Sequence, residues 1–303
     1  MSTRGFVTIA SGSEKYYIMA ANLLRSYRRH VKDSTPFAII CDQENTVTNE
    51  FDKVVLMDQA DCSYMDKLKL YRYAPYDETI FIDADSLVLS DVSGIWDDFS
   101  DADDVSCYGW TYPLDSDRAW FTYDGCGEYK EKIRFLIDLH GGIYYLRKGA
   151  RCDSIFQTAT GLARQYDQYS FKHFEKPADE PVIAMSLAIH QSRPCDKPMR
   201  VLFYPSYWGK VSVHASGELT VRGGPKREIL HFGTQNTERF LYRYLVEIDK
   251  QSNVSRVNTI LRYAKIWFQT APREAIAFCR HSAGKVLRRV LPTAVVERIK
   301  ERL

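Results

Sequence analysis

Several things are scarce or missing in this chain. No apolar stretch approaches the roughly 18 to 20 residues of a membrane-spanning helix, so no helical span is expected. Residues 1–10 run straight into an apparent strand and lack the charged region, apolar run and small-residue cleavage site of a secretion signal. The seven cysteines (Cys41, Cys62, Cys107, Cys126, Cys152, Cys195, Cys279) are odd in number and form no Cys-x-x-Cys pair. That argues against a disulfide framework or zinc ribbon and fits a reducing cytosol. There is no internal repeat and no low-complexity segment.

What is present suits a folded protein. At 303 residues, with 45% hydrophobic and 26% charged, the chain can bury a full core as one large α/β domain with an appendage. A net charge of +2 hides an uneven distribution: residues 253–303 carry 11 Lys and Arg against three acids. The tail is therefore +8 and the remainder −6, which divides the chain into a domain over 1–250 and a basic tail over 251–303.

Along the domain, Gly5 to Ala10 reads as a strand. It is followed by Ser11-Gly12-Ser13 and a helical pattern from Glu14 to His30 with Ile18, Ala21, Leu23 and Leu24 on one side. Phe37 to Cys41 and Val54 to Met57 read as further strands, and Met65 to Tyr73 as a helix. A turn and short helix over 90–99 precede a strand from Val105 to Trp110. Residues 111–130, rich in Tyr, Trp, Gly and Asp, suit either a mobile loop over a sugar or an ordinary surface loop. A glycine-opened strand from His140, a helix over Ala150 to Tyr169, and a helix entered through Asp179-Glu180-Pro181 come next. Arg200 to Tyr204 and Glu228 to Phe232 read as short strands. Alternation of this kind predicts an α/β fold with a mostly parallel sheet flanked by helices.

The most informative segment is Thr79-Ile80-Phe81-Ile82-Asp83-Ala84-Asp85, a buried strand that ends in two aspartates on alternate positions. The carboxyl edge of such a sheet is where α/β folds bind ligands. Carboxylates take Mg2+ or Mn2+ rather than soft metals, and an ion held by few side chains keeps positions open for the phosphate oxygens of a nucleotide. Asp101-Ala102-Asp103 repeats the spacing with no strand feeding it and reads as a solvated loop. Asp179 and Glu180 have a structural reading too, since acids in a first turn complement the helix dipole.

The order Val7-Thr8-Ile9-Ala10, Lys67-Leu68, Tyr76, Phe81-Ile82-Asp83-Ala84-Asp85, Gly141-Gly142, Asp179-Glu180 and Leu230-His231-Phe232 resembles the family 8 retaining glycosyltransferases, the glycogenin and bacterial lipopolysaccharide galactosyltransferase type. The similarity covers about residues 5 to 240 and is most specific over residues 67–89. It implies a Rossmann-like, GT-A type nucleotide-diphospho-sugar transferase fold. It also implies transfer of a hexose from a UDP-sugar to a glycan, glycolipid or other acceptor, with Mn2+ (or Mg2+) at the leaving group.

By the same resemblance Asp83, Asp85 and His231 would hold the metal, Lys67 would position the donor, and Asp179 and Glu180 would face the reacting sugar carbon. Val7, Thr8, Ile9, Ala10 and Ser11 would line the uridine pocket, with Ala84, His140, Gly141 and Gly142 also at the donor. The chain departs from the family at several points. His140 stands for the usual Asn, Glu180 for the usual Gln, and Ser11-Gly12-Ser13 lacks the acid or amide of the uridine pocket. Residues 233–237 lack the Lys-Pro-Trp that normally follows, leaving Arg222, Lys226, Arg227 or Arg239 to meet the diphosphate.

In the tail, Val254, Val257, Ile260, Leu261, Ala264, Trp267 and Phe268 fall at helical spacing, with Arg262, Lys265 and Gln269 turned away. An apolar stripe backed by basic residues suits an anionic membrane surface, which would make the protein peripheral on the cytoplasmic face. The alternative is a helix packed on the domain. No nucleic-acid-binding module is present. Two rival functions are a haloacid-dehalogenase-like phosphatase with Asp83 as nucleophile, against which no later Gly-Asp-x-x-x-Asp segment is found, and an inactive sugar-nucleotide-binding protein.

Overall fold

The computed structural model describes residues 3–171, 177–204, 211–213, 219–221, 227–249, 265–271 and 274. The chain divides into two compact units, Met1–Gly233 and Thr234–Leu303. In the first, β1 (Arg4–Ala10), α1 (Glu14–His30), β2 (Phe37–Cys41) and β3 (Lys53–Leu56) are followed by a 3-10 helix (Tyr64–Lys69) and a single α turn, α2 (Leu70–Tyr73). Then come β4 (Glu78–Ile82), β5 (Ser86–Val88), α3 (Ile95–Asp98), β6 (Val105–Tyr112), β7 (Leu136–Arg147), α4 (Ala150–Arg164) and α5 (Asp179–Ile189). Short strands β8 (Val201–Phe203), β9 (Val211–Val213), β10 (Leu219–Val221) and β11 (Ile229–His231) complete it.

The main sheet has the order β3-β2-β1-β4-β7-β6. The β1–β2, β1–β4 and β2–β3 pairs are parallel, whereas β7 runs antiparallel to both β4 and β6. The mixed, mostly parallel sheet expected from the alternating pattern is therefore what forms. Its central strands are apolar on both faces because both are covered. Val7 and Phe81 point into one core with Tyr144 and Ile183, and Phe6, Ile80 and Ile82 into another with Leu23, Leu24 and Trp96. Burying each such large side chain contributes about 1.5 to 3 kcal/mol.

A second sheet, β5-β11-β8, sits beyond the end of β4. The antiparallel β11–β5 pairing sets His231 opposite Ser86, and the Phe232 amide continues the ladder to the Asp85 carbonyl at 3.1 Å. This register brings a residue from late in the chain beside the Asp83-Ala84-Asp85 segment.

Three local expectations need correction. Ile18 is exposed: α1 buries the face carrying Tyr17, Ala20, Ala21, Leu24 and Tyr27, and one residue beyond Tyr17 is about 100° around the helix. The helix expected over Met65 to Tyr73 is mostly a 3-10 helix, in which Asp66 and Lys67 both turn inward to separate polar partners. Residues 111–130 are not simply a surface loop. Ala119, Phe121 and Cys126 are buried, and the Trp120 indole donates to the Leu139 carbonyl at 2.9 Å. Asp101 and Asp103 are exposed, as a solvated loop requires.

In the second unit, α6 (Phe240–Asp249) buries Tyr242 and Leu245, and Arg239 forms a two-pronged pair with Glu274 at 2.7 and 3.2 Å. Residues 265–271 are helical, with Ile266 and Thr270 buried and Trp267 and Phe268 exposed. The rest of the basic tail expected over 251–303 lies outside the described residues. No described helix is long and apolar enough to cross a membrane. The six described cysteines are free.

Candidate active site

The site lies where β4 ends. Asp83 leaves the strand with its amide bonded to the Gly142 carbonyl at 3.0 Å, and its own carbonyl accepts from the Ser86 amide at 3.0 Å. This tight turn between β4 and β5 presents Asp83 and Asp85 to one side. His231 Nε2 stands 3.0 Å from Asp85 Oδ1 and 3.7 Å from Asp83 Oδ2. One ligand atom from each of the three lies within 4.8 Å of the others. Ligands about 2.1 Å from an octahedral ion stand about 3.0 Å apart, so these separations fit a divalent cation. The donor set, two carboxylates and an imidazole, moves the preference from Mg2+ toward Mn2+.

Lys67 comes from the 3-10 helix on the other side. Its ammonium lies 2.8 Å from Asp83 Oδ2, 3.4 Å from Asp179 Oδ2 and 3.2 Å from the Gly141 carbonyl. Burial alone would lower this lysine, but Asp179 and Asp83 overturn that and hold it well above its ordinary value. Burial pushes the Asp83 carboxyl up against the pull of Lys67, and the Asp85 charge adds to the rise. For His231, burial acts downward, but the Asp85 and Asp83 carboxylates raise it overall.

Asp179 and Glu180 occupy the first turn of α5, where carboxylates face the positive end of the helix dipole. The Tyr144 hydroxyl donates to Asp179 at 2.8 Å, and the Gly141 amide donates to Glu180 Oε1 at 2.9 Å. Burial and the Asp179 charge push Glu180 up to about 7, against Lys67 and the Gly141 hydrogen bond. Gly141 and Gly142 are required by close approach. A Cβ at Gly141 would lie 2.4 Å from Glu180 Cγ, and one at Gly142 would lie 2.7 Å from His231 Nδ1 and from His140 Cε1. His140 accepts from the Gly142 amide at Nδ1 (3.1 Å), and its ring centroid is 5.2 Å from that of His231. Burial, helped by the charges of His231 and Lys67, lowers His140 to about 3, so its ring is neutral.

Lys67, Asp83, Asp85, His140, Gly141, Asp179, Glu180 and His231 thus come together, with Ala84 and Gly142 between them. Val7 and Thr8 are fully buried in β1 and Ala10 nearly so, while Ile9 is partly buried. Ser11, at the strand's end, donates to the buried Asp66 at 2.8 Å. Arg239 is taken up by Glu274, and the Arg227 guanidinium donates to the Met199 carbonyl. Arg222 and Lys226 lie outside the described residues. Sequence reasoning missed Tyr144, Asp66 and Phe203, whose ring centroid is 5.3 Å from that of His231. Of these only Asp66 had a usable signal, its place beside Lys67.

No protein-family model matches the sequence, and no curated protein matches it either. Among solved structures, the bifunctional glycosyltransferase WbbM in its apo form matches at 13% identity over 89% of this chain, with a TM-score of 0.52. This chain has a glycosyltransferase fold. It spans about half of WbbM, 52% of that chain. The galactosyltransferase LgtC with donor and acceptor sugar analogues is similar at 14% identity, covering 83% of this chain and 98% of that one, with a TM-score of 0.49. An active-site mutant of LgtC matches at 12% identity over the same shares, with a TM-score of 0.48. In this glycosyltransferase fold the Asp83, Asp85 and His231 cluster lies at the carboxyl end of a central parallel strand, the ligand-binding edge of such sheets.

Proposed function

We propose that this protein is a retaining glycosyltransferase that moves a hexose from a UDP-sugar to a glycan, glycolipid or other acceptor. The observation that carries this reading is the convergence of Asp83, Asp85 and His231 within 4.8 Å, with the Lys67 ammonium 2.8 Å from Asp83. Mn2+ held by the three would neutralise charge growing on the diphosphate as its bond to the anomeric carbon breaks.

The chain's own residues supply the rest. The Lys67 ammonium is held by two carboxylates and a carbonyl, so its charge is pre-oriented for the donor. Tyr144 and Lys67 occupy one oxygen of Asp179, while the Gly141 amide aims Glu180. Ionised Glu180 can stabilise positive charge on the sugar ring or attack its anomeric carbon. We also assign the basic tail to an anionic membrane surface on the cytoplasmic side; the exposed Trp267 and Phe268 suit that contact.

Calorimetry with UDP tests the reading: binding that requires Mn2+, with hydrolysis or transfer from at least one UDP-sugar, is the expected result. Nucleotide binding with no turnover across donors and acceptors would leave a binding protein instead. No UDP binding at all would overturn the reading.

Glu180 gives a pH-dependent check. Its folded value of about 7 lies above the ordinary 4.5. Its stabilising contribution is therefore complete below pH 4.5 and lost as pH rises through 7. The unfolding free energy of the native protein relative to Glu180→Gln should fall across that window by up to about 3 kcal/mol. Transfer by Glu180→Gln should be reduced far more at pH 8 than at pH 6, where the native carboxyl is largely neutral. A flat difference in both measurements would show that Glu180 is not perturbed as described.

A further inference from the structure

His231 reaches the cluster through one ring nitrogen, Nε2, which stands 3.0 Å from Asp85 Oδ1. Its other ring nitrogen, Nδ1, is buried and has no hydrogen-bond partner among the described residues. That is uncommon for an imidazole that holds a metal. Such a ring almost always donates its second N–H to a carboxylate, a carbonyl or water, and that bond sets its orientation. Here the orientation must come from elsewhere.

Packing supplies it. Nδ1 lies against the Gly142 backbone, where a Cβ would come within 2.7 Å. The His140 ring centroid is 5.2 Å from that of His231 with the planes at 70°, and the Phe203 centroid is 5.3 Å away with the planes at 54°. His140 and Phe203 are themselves 6.2 Å apart, so the three rings close a triangle at the roughly 4.5 to 7 Å spacing over which aromatic rings interact. Rotating the imidazole would disturb both contacts.

Phe203 is placed there by β8. It is the register partner of His231 in the parallel β8–β11 pair, so the two side chains stand on one face. The next residues along, Tyr204 and Phe232, also pack on each other, with centroids 5.1 Å apart. Three residues make a short strand, but its start is anchored. The Arg200 carbonyl accepts from the Glu228 and Ile229 amides at 3.0 Å each, and the Arg200 guanidinium grips Asp98 of α3 at 2.6 and 3.0 Å. The Tyr108 hydroxyl of β6 donates to the same carboxylate at 2.6 Å, which ties the support under His231 to the main sheet.

We propose that Phe203 is a positioning residue for His231: its ring holds the imidazole where Nε2 can meet the same cation as Asp83 and Asp85, in place of a hydrogen bond at Nδ1. This rests on the metal-cluster part of the glycosyltransferase reading. Phe203 is 38% exposed, so it contributes less to the core than a buried phenylalanine and its replacement should leave the fold intact.

The test follows Mn2+ binding to the full chain, with and without UDP, through the electron paramagnetic resonance signal of the free ion. The proteins are native, Phe203→Ala, Phe203→Tyr, His231→Ala and the double variant Phe203→Ala with His231→Ala, each shown to be folded by urea unfolding. Phe203→Ala should weaken Mn2+ binding about tenfold, the lower end of the range for residues that orient a ligand, and Phe203→Tyr, which keeps the ring, should recover most of that loss. In the His231→Ala background the same change should cost nothing further, because no imidazole is left to orient. An equal loss in both backgrounds would mean that Phe203 acts on the structure in general and would overturn the proposal. So would native-like Mn2+ binding by Phe203→Ala; if His231→Ala is still weakened, the three-residue metal site stands without it. Failure of the native protein to bind Mn2+ in either condition would overturn both.

Discussion

Replacing Asp85 with alanine is expected to remove the Mn2+-dependent part of UDP binding, by about 100-fold or more, and to bring sugar transfer to background. The substitution deletes one of three ligand side chains and also strips His231 of the carboxylate 3.0 Å from Nε2. Changes to residues that merely support a ligand cost about 10- to 100-fold in metal affinity, so loss of a ligand should exceed that range. The fold should survive. What ties this turn to β11 is the Asp85 carbonyl, which accepts from the Phe232 amide at 3.1 Å and is untouched by the change. Removing one of two crowded acids also relieves repulsion with Asp83. The measurement is paired calorimetric titration of UDP with and without Mn2+, alongside urea unfolding. Metal-dependent UDP binding that persists in the folded variant would remove Asp85 from the site.

Lys67→Met should carry a large stability cost besides its effect on the donor. The methionine fills similar volume but leaves Asp83 and Asp179 without the ammonium that lies 2.8 and 3.4 Å from them. Breaking a buried pair by deleting one partner typically costs about 3 to 5 kcal/mol, because the remaining charge is stranded. Two carboxylates share this cation, so the upper part of that range is expected from urea unfolding. Lys130→Met is the control: Lys130 pairs with Asp124, whose side chain is 95% exposed, and its loss should leave the midpoint in place. An unchanged midpoint for Lys67→Met would mean that the carboxylates are relieved by other means.

Much of this was legible in the sequence, for identifiable reasons. The bounds of α1 and the run of β4 into Asp83 and Asp85 follow from local hydrophobic pattern, which requires no knowledge of distant residues. The 3-10 winding over Tyr64–Lys69 was not legible, because six residues are too few to separate a period of 3.0 from 3.6. Contacts such as Tyr144 with Asp179 or Ser11 with Asp66 depend on how segments far apart in sequence pack together. Asp66, which accepts from the Ser11 hydroxyl at 2.8 Å, comes from another element 55 residues away in sequence. Motif reading looks along the chain and cannot see it.

The six-stranded sheet is complete once Arg147 has been made, whereas β11 and His231 arrive only near the end of the first unit. A nascent chain leaving the ribosome can therefore build its scaffold well before Asp83, Asp85 and His231 can come together. The late β11 pairing is also the kind of long-range contact that slows folding. A fragment ending before Ile229 would keep both aspartates but lack the imidazole that stands 3.0 Å from Asp85. The order of synthesis thus delays assembly of the Asp83, Asp85 and His231 cluster until nearly the whole first unit has been made.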